Sequence, residues 1–168
     1  FKITSKYKIL SIADEIQTGF GTTGNIWYTK NKADIIVFGK KSQVSGFALN
    51  SKLGLNLNPN RYCITWDGDL VDMVRCKYII KAIKENNLLE NIEHISQFFL
   101  SELNKLDKIK NARGAGFILA FDLDNLQERD LFYQNALANG LLVNVSEYDI
   151  KEENDSEIEL ASKFIFEI

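Results

Sequence analysis

The sequence predicts an α/β protein, with a mostly parallel sheet and helices over about the first 60 residues and a small α+β unit over about the last 60. Three observations carry this. Two short apolar runs, "YKILSIA" at 7–13 and "ADIIVFG" at 33–39, are continuous rather than alternating, the pattern of parallel strands covered on both faces. From about Asp67 the apolar period lengthens to that of a helix. After residue 116, β-rich and helical stretches alternate again.

The elements follow in order. The first strand, 7–13, ends on an acid pair, Asp14 and Glu15, and opens into the Gly/Thr-rich stretch "QTGFGTTG". The second, 33–39, stops at Gly39-Lys40. Leu70, Val74, Ile79, Ile80 and Ile83 fall near helical spacing. Leu88, Ile92, Ile95, Phe99, Leu103 and Leu106 continue it more clearly, with "KENN" (84–87) separating the two helices. "GFILAFDL" (116–123) reads as a strand, 127–138 as a helix stopped near Gly140, and "LLVNV" as another strand. A closing helix is expected from about Ser156 to Phe166, because Ser156 and Glu159 have capping-box spacing. The acidic stretch between Glu147 and Glu159 reads as a solvated loop.

Composition excludes several function classes. A net charge of −3 over 168 residues gives no basic field for nucleic acid and no polybasic patch for a membrane. No apolar run approaches the ~20 residues that span a bilayer. Cys63 and Cys76 stand thirteen apart with His94 the single histidine, which is no metal-ligand spacing. A reduced thiol pair and a cytoplasmic location are the expectation. The chain opens at Phe1 with no initiator Met, so native targeting is not legible.

Ligands of open α/β sheets sit at the carboxyl ends of strands. Asp14 ends the first strand and Lys40 follows the second, so parallel pairing delivers both to one edge. One reading is an ordinary surface ion pair, which carries little information. The other is a site. Gly39 lets backbone or ligand approach closely, and a desolvated lysine becomes a nucleophile towards carbonyls. A Schiff-base lysine with an Asp holding a protonated pyridine nitrogen is the recurrent arrangement for pyridoxal 5′-phosphate (PLP).

With these residues in place, the sequence resembles a known family. "ADEIQTGFGTTG" followed by "ADIIVFGKK" resembles the class III (subgroup II) aminotransferases of PLP fold type I, whose pattern is D-E-V/I-Q-T-G-x-G-x-T-G and then P-D-I/V-…-G-K. "FGKKSQVSG" is closer to the G-K-K-T-Q-V of L-lysine 6-aminotransferases. "ITWDGDLVDMVR" and "ARGAGFILAFDL" resemble two further family segments in the same order, so the likeness covers residues 1 to about 145. It implies that residues 1–66 are the C-terminal part of the PLP-binding large domain, 67–106 connecting helices, and 107–168 the small C-terminal α+β domain.

The resemblance also assigns roles. Asp14 would bind the pyridinium nitrogen, Ile16 pack on the ring face, and Gln17 hydrogen-bond near the phenolic oxygen. Lys40 would form the Schiff base and shuttle the proton. Thr65 would reach the phosphate held by the other subunit of a homodimer; its bland reading is a cap for the helix beginning near Asp67. Glu15 is expected to point away from the ring and support the turn, Lys41 and Trp66 to play supporting parts. Arg113 is either a structural arginine paired with a carboxylate or a substrate contact.

Departures from the pattern bear on activity. Asp67 and Asp69 stand where the family has Gly and Asn, placing negative charge near a phosphate unless the acids turn away. After "LLVNV" the family's R-F-x-P-P-L is replaced by an arginine-free acidic stretch, and Arg129, on a predicted helix, is no convincing substitute. The expected function is transfer of the terminal amine of a basic amino acid, L-lysine, to 2-oxoglutarate, by the C-terminal half of a longer enzyme that is inactive as this piece alone. The alternatives are another class III donor (ornithine, acetylornithine or 4-aminobutyrate) and a catalytically silent fragment. Amino-acid and 2-oxo-acid substrates are the expected partners; the substrate-binding residues and the donor are not legible.

Overall fold

In the computed structural model, which describes residues 1–54, 58, 65, 67–146 and 162–167, β1 (Ile12–Asp14) and β2 (Ile35–Phe38) pair in parallel, as their continuous apolar runs predict. Their register runs from Ile12↔Ile35 to Asp14↔Val37. A polar clasp sets that register: the Asp34 carboxylate accepts from the Ser11 amide (2.9 Å) and hydroxyl (2.7 Å). β3 (Gly46–Leu49) returns antiparallel on the other side of β2, giving the order β1-β2-β3. β1 is shorter than the apolar run 7–13. Residues Lys2–Lys6 form a short helix, α1, and Lys8 takes a left-handed φ of 54°, which interrupts extension before Ile12.

These strands belong to the first of two compact units, Phe1–Asn91 and Ile92–Ile168. In the first, Phe20, Trp27 and Phe38 form a ring cluster with centroids 5.2 to 5.9 Å apart. α2 (Leu70–Glu85) starts where Asp69 accepts from the amides of Val71 (2.8 Å) and Asp72 (3.2 Å). It packs against the turn Lys40–Ser42 and buries Ile83, while Leu70, Met73 and Val74 are exposed. Helical spacing thus marks the helix correctly but not a fully buried stripe.

In the second unit, β4 (Lys110–Ala115), β5 (Ile118–Leu123), β6 (Asn144–Ser146) and β7 (Ser162–Glu167) form an antiparallel sheet in the order β4-β5-β7-β6. Along β5 the side chains alternate between faces, burying Leu119, Phe121 and Leu123. Leu103 of α3 (Leu88–Leu103), Ala136 of α4 (Leu126–Ala138) and Val143 complete this core. Phe132 meets Phe121 edge-on at 5.4 Å. Gly114 sits at φ 146° with the Ile118 carbonyl oxygen where a Cβ would stand, so the β4–β5 hairpin needs glycine there.

One expectation is overturned. The closing helix of 156–166 is not formed over its described part: residues Ser162–Glu167 are a strand, paired from Ile118↔Glu167 to Leu123↔Ser162. Sheet pairing outweighs the local capping signal, because β7 supplies the partner that both β5 and β6 need. Ser156 and Glu159 lie outside the described residues, as does the stretch 147–161 expected as a loop. "LLVNV" becomes a strand only from Asn144.

Candidate active site

Parallel pairing of β1 and β2 brings Asp14 and Lys40 to one sheet edge, as the sequence predicts. Lys40 donates from Nζ to Oε1 of Gln17. Ile16 lies beside Gly39, with Cγ1 and Cγ2 3.7 Å from where a Gly39 Cβ would be. Asp14 turns its carboxylate to the Ile16 amide (3.0 Å) and is otherwise open to solvent. Four of the five predicted site residues are therefore gathered by two strand ends: Asp14, Ile16, Gln17 and Lys40. Thr65 is an exposed turn residue, and among the described residues no hydrogen bond joins it to the other four.

The backbone at Lys40 is unusual. Its φ of 52° lies in the left-handed region that favours glycine, and the 3-10 turn Lys40–Ser42 carries it. Gly39 is extended and buried, with Ser45 Oγ only 3.0 Å from its Cβ position, so a side chain there would push on the turn. Ser42 is fully buried and donates to the Val44 carbonyl at 2.5 Å. Neither Ser42 nor Ser45 stands out in the sequence, although small hydroxyl residues after Gly-Lys-Lys are what such a tight turn accommodates.

Glu15, the second acid of the pair, is buried to 1% exposure. It points away from Lys40 and into the 16–29 loop. Its Oε2 accepts from the Thr18 hydroxyl (2.5 Å) and the Tyr28 amide (2.9 Å), and Oε1 accepts from the Thr29 amide (2.8 Å). Burial works against ionisation, but these hydrogen bonds outweigh it and hold the carboxyl below its ordinary value. Asp34 is likewise lowered, by the Ser11 amide and hydroxyl. Burial raises the Cys76 thiol, so it is a poor nucleophile, and Cys63 lies outside the described residues.

The remaining predicted residues fall as follows. Arg113 pairs with Asp122 at 2.9 Å and donates to the Asn111 carbonyl, the structural of its two readings. Arg129 pairs with its neighbour Asp130. Asp69 is committed to capping α2. Asp67 lines a cavity of about 520 Å³ beside Phe20, Trp27 and Phe38, and it is Asp69, not Thr65, that caps α2. Lys41 is exposed, and Trp66 lies outside the described residues.

Comparison with known proteins bears on the family and the fold. The family model for class-III aminotransferases matches residues 1–151. The chain is 31% identical over 150 residues to a 4-aminobutyrate aminotransferase of Kluyveromyces lactis, covering 82% of this chain and 32% of that protein. It is 30% identical over 139 residues to an L-lysine-epsilon aminotransferase of Amycolatopsis lactamdurans, covering 74% of this chain and 31% of that protein. The chain thus spans about a third of the length of the curated relatives it matches. Among solved structures, a lysine aminotransferase from M. tuberculosis in its internal aldimine form superposes with a TM-score of 0.80 at 27% identity, covering 99% of this chain and 38% of that one.

Proposed function

Because the chain belongs to the class-III aminotransferases, as a fragment with their α/β fold, we propose that it contributes the C-terminal portion of a PLP-dependent aminotransferase. In this reading the enzyme moves the terminal amino group of a basic amino acid, L-lysine, to 2-oxoglutarate. The observation that carries it is the meeting of Lys40 with Gln17 at the edge where β1 ends in Asp14.

The donor set fits the cofactor. An amine, a carboxylate and an apolar side chain stand at the same strand ends, and Lys40's partner is a neutral amide rather than a competing carboxylate. Lys40 would hold PLP covalently, Asp14 its ring nitrogen, Ile16 its ring face and Gln17 its phenolic edge. Thr65 would reach the phosphate across a homodimer. PLP supplies an electron sink for the pair left when a proton leaves the amine-bearing carbon. The Asp14 carboxylate keeps the ring nitrogen positive. The Lys40 amine, once free, would take that proton and return it.

Residues 1–66 would then form the end of the cofactor-binding large domain, 67–106 the connecting helices and 107–168 the small domain. Among the described residues no helix is long and apolar enough to cross a membrane. The 31% identity to a 4-aminobutyrate aminotransferase supports a second reading, an ω-amino acid without an α-amino group as donor. Borohydride reduction of the PLP-loaded protein, digestion and mass spectrometry test the assignment. The cofactor is expected on the Lys40 peptide. Cofactor on Lys41 or elsewhere overturns it. Turnover with lysine against 4-aminobutyrate decides between donors.

A further inference from the structure

We infer that Glu15 is a positioning residue for the Lys40 amine, acting through Gln17. Every polar group of Glu15 is engaged. Its amide donates to the Val37 carbonyl (2.8 Å), which ties the end of β1 to β2. Its carbonyl accepts from Gly19 (2.8 Å), which starts the loop turn. Its carboxylate receives the Thr18 hydroxyl and the amides of Tyr28 and Thr29, closing residues 16–29 on themselves.

That closure has a consequence at the site. Ile16 and Gln17 are the two residues between the Glu15 anchor and the Thr18 that binds it. Both are therefore held by Glu15 on either side, and they face Gly39 and Lys40. A long lysine side chain on an exposed turn has several rotamers to choose from. Gln17 selects one of them, and it does so only while its own backbone is fixed. A carboxylate suits the anchoring part because it accepts three hydrogen bonds and offers none, whereas a glutamine amide would aim N–H at N–H.

This inference rests on the proposed role of Lys40 as the cofactor-bearing amine, and its test separates the two. The full chain is labelled with a small N-hydroxysuccinimide ester and, in parallel, with PLP and borohydride. Mass spectrometry then gives the ratio of label on Lys40 to label on Lys41. Glu15→Gln is expected to change the Lys40:Lys41 ratio by about tenfold in both arms, the scale of a lost charge-assisted hydrogen bond. In a Gln17→Ala background the same substitution is expected to add nothing, which a merely structural role would not produce. Should Glu15→Gln fail to fold, Thr18→Val removes one hydrogen bond isosterically and is expected to shift the ratio in the same direction.

An unchanged ratio in a folded Glu15→Gln or Thr18→Val protein overturns the inference. So does an undiminished effect of Glu15→Gln in the Gln17→Ala background. If PLP labels no lysine while the ester ratio still shifts, the assignment of Lys40 as the cofactor-bearing amine falls and its positioning by Glu15 stands.

Discussion

β5 and β2 are both central strands, yet they hold their sheets in different ways. β5 buries Leu119, Phe121 and Leu123 on one face and is packed by α4 and by Leu103. β2 buries only Ile36, and its sheet is fixed at either end by polar groups: the Ser11–Asp34 clasp where the strands begin and the Glu15 amide on the Val37 carbonyl where β1 ends. The second unit draws its order from apolar area, which is non-directional. The first draws more of it from hydrogen bonds whose geometry is specific. The proposed site lies in the region ordered by direction, where an amine and a carboxylate would need fixed positions.

Four measurements would break or sharpen that contrast. The largest effect is expected in the apolar unit: Phe121→Ala should cost about 3 to 5 kcal/mol, the scale of an emptied aromatic core position. Hydrogen exchange should show protection lost across β4, β5 and α4 while β1 and β2 keep theirs; uniform loss would mean that the two units unfold as one. Next comes Asp14→Asn, which in a PLP-loaded full-length enzyme should lower turnover roughly 10²-fold or more, about 2.7 kcal/mol. Because Asp14 is exposed, its melting temperature should hold. A mutant within a few-fold of wild type makes Asp14 structural.

The third is acidification. Glu15 is held below its ordinary value in the folded chain, so its contribution is fully present above that value and is lost as pH falls through the lowered one. The Tyr28 and Thr29 amides should lose exchange protection there before the β5 amides do. In Glu15→Gln that acid-induced step should vanish and stability at neutral pH drop by about 2 kcal/mol. The smallest effect is Asp69→Ala, which removes the cap of α2 at about 1 kcal/mol. Helix content read by circular dichroism should fall slightly, with β1 and β2 protection unchanged.

The strands legible in the sequence were those with a strong apolar run. "IIVF" and "ILAFDL" became β2 and β5, each starting two residues inside its run and ending within one residue of the run's end. β4 and β3 were missed, for one reason. "KNARGA" is polar, carries a bulge between Lys110 and Arg113, and is a strand only because β5 lies beside it. "GFAL" is a strand because β2 accepts an antiparallel return. β7 carried a usable signal, Phe164 and Phe166 two apart, and the helical reading gave more weight to the Ser156–Glu159 spacing.

At the site, the edge shared by Asp14 and Lys40 followed from parallel pairing, and the expectation that Glu15 points away came with the family resemblance. Its partners did not: Tyr28 and Thr29 are thirteen and fourteen residues away, and backbone amides leave no trace in residue type.

The left-handed backbone at Lys40 sets stability against function at a single position. An L-residue there costs about 1 to 2 kcal/mol that glycine would not. Lys40→Gly should therefore fold more stably than Lys40→Ala by roughly 1 kcal/mol, read as the difference in urea midpoint between two inactive proteins. Selection for robustness alone would drift this position towards glycine. A lysine at this position runs against the backbone's own preference, and under the proposed role of its amine a lineage released from that role is expected to lose it early.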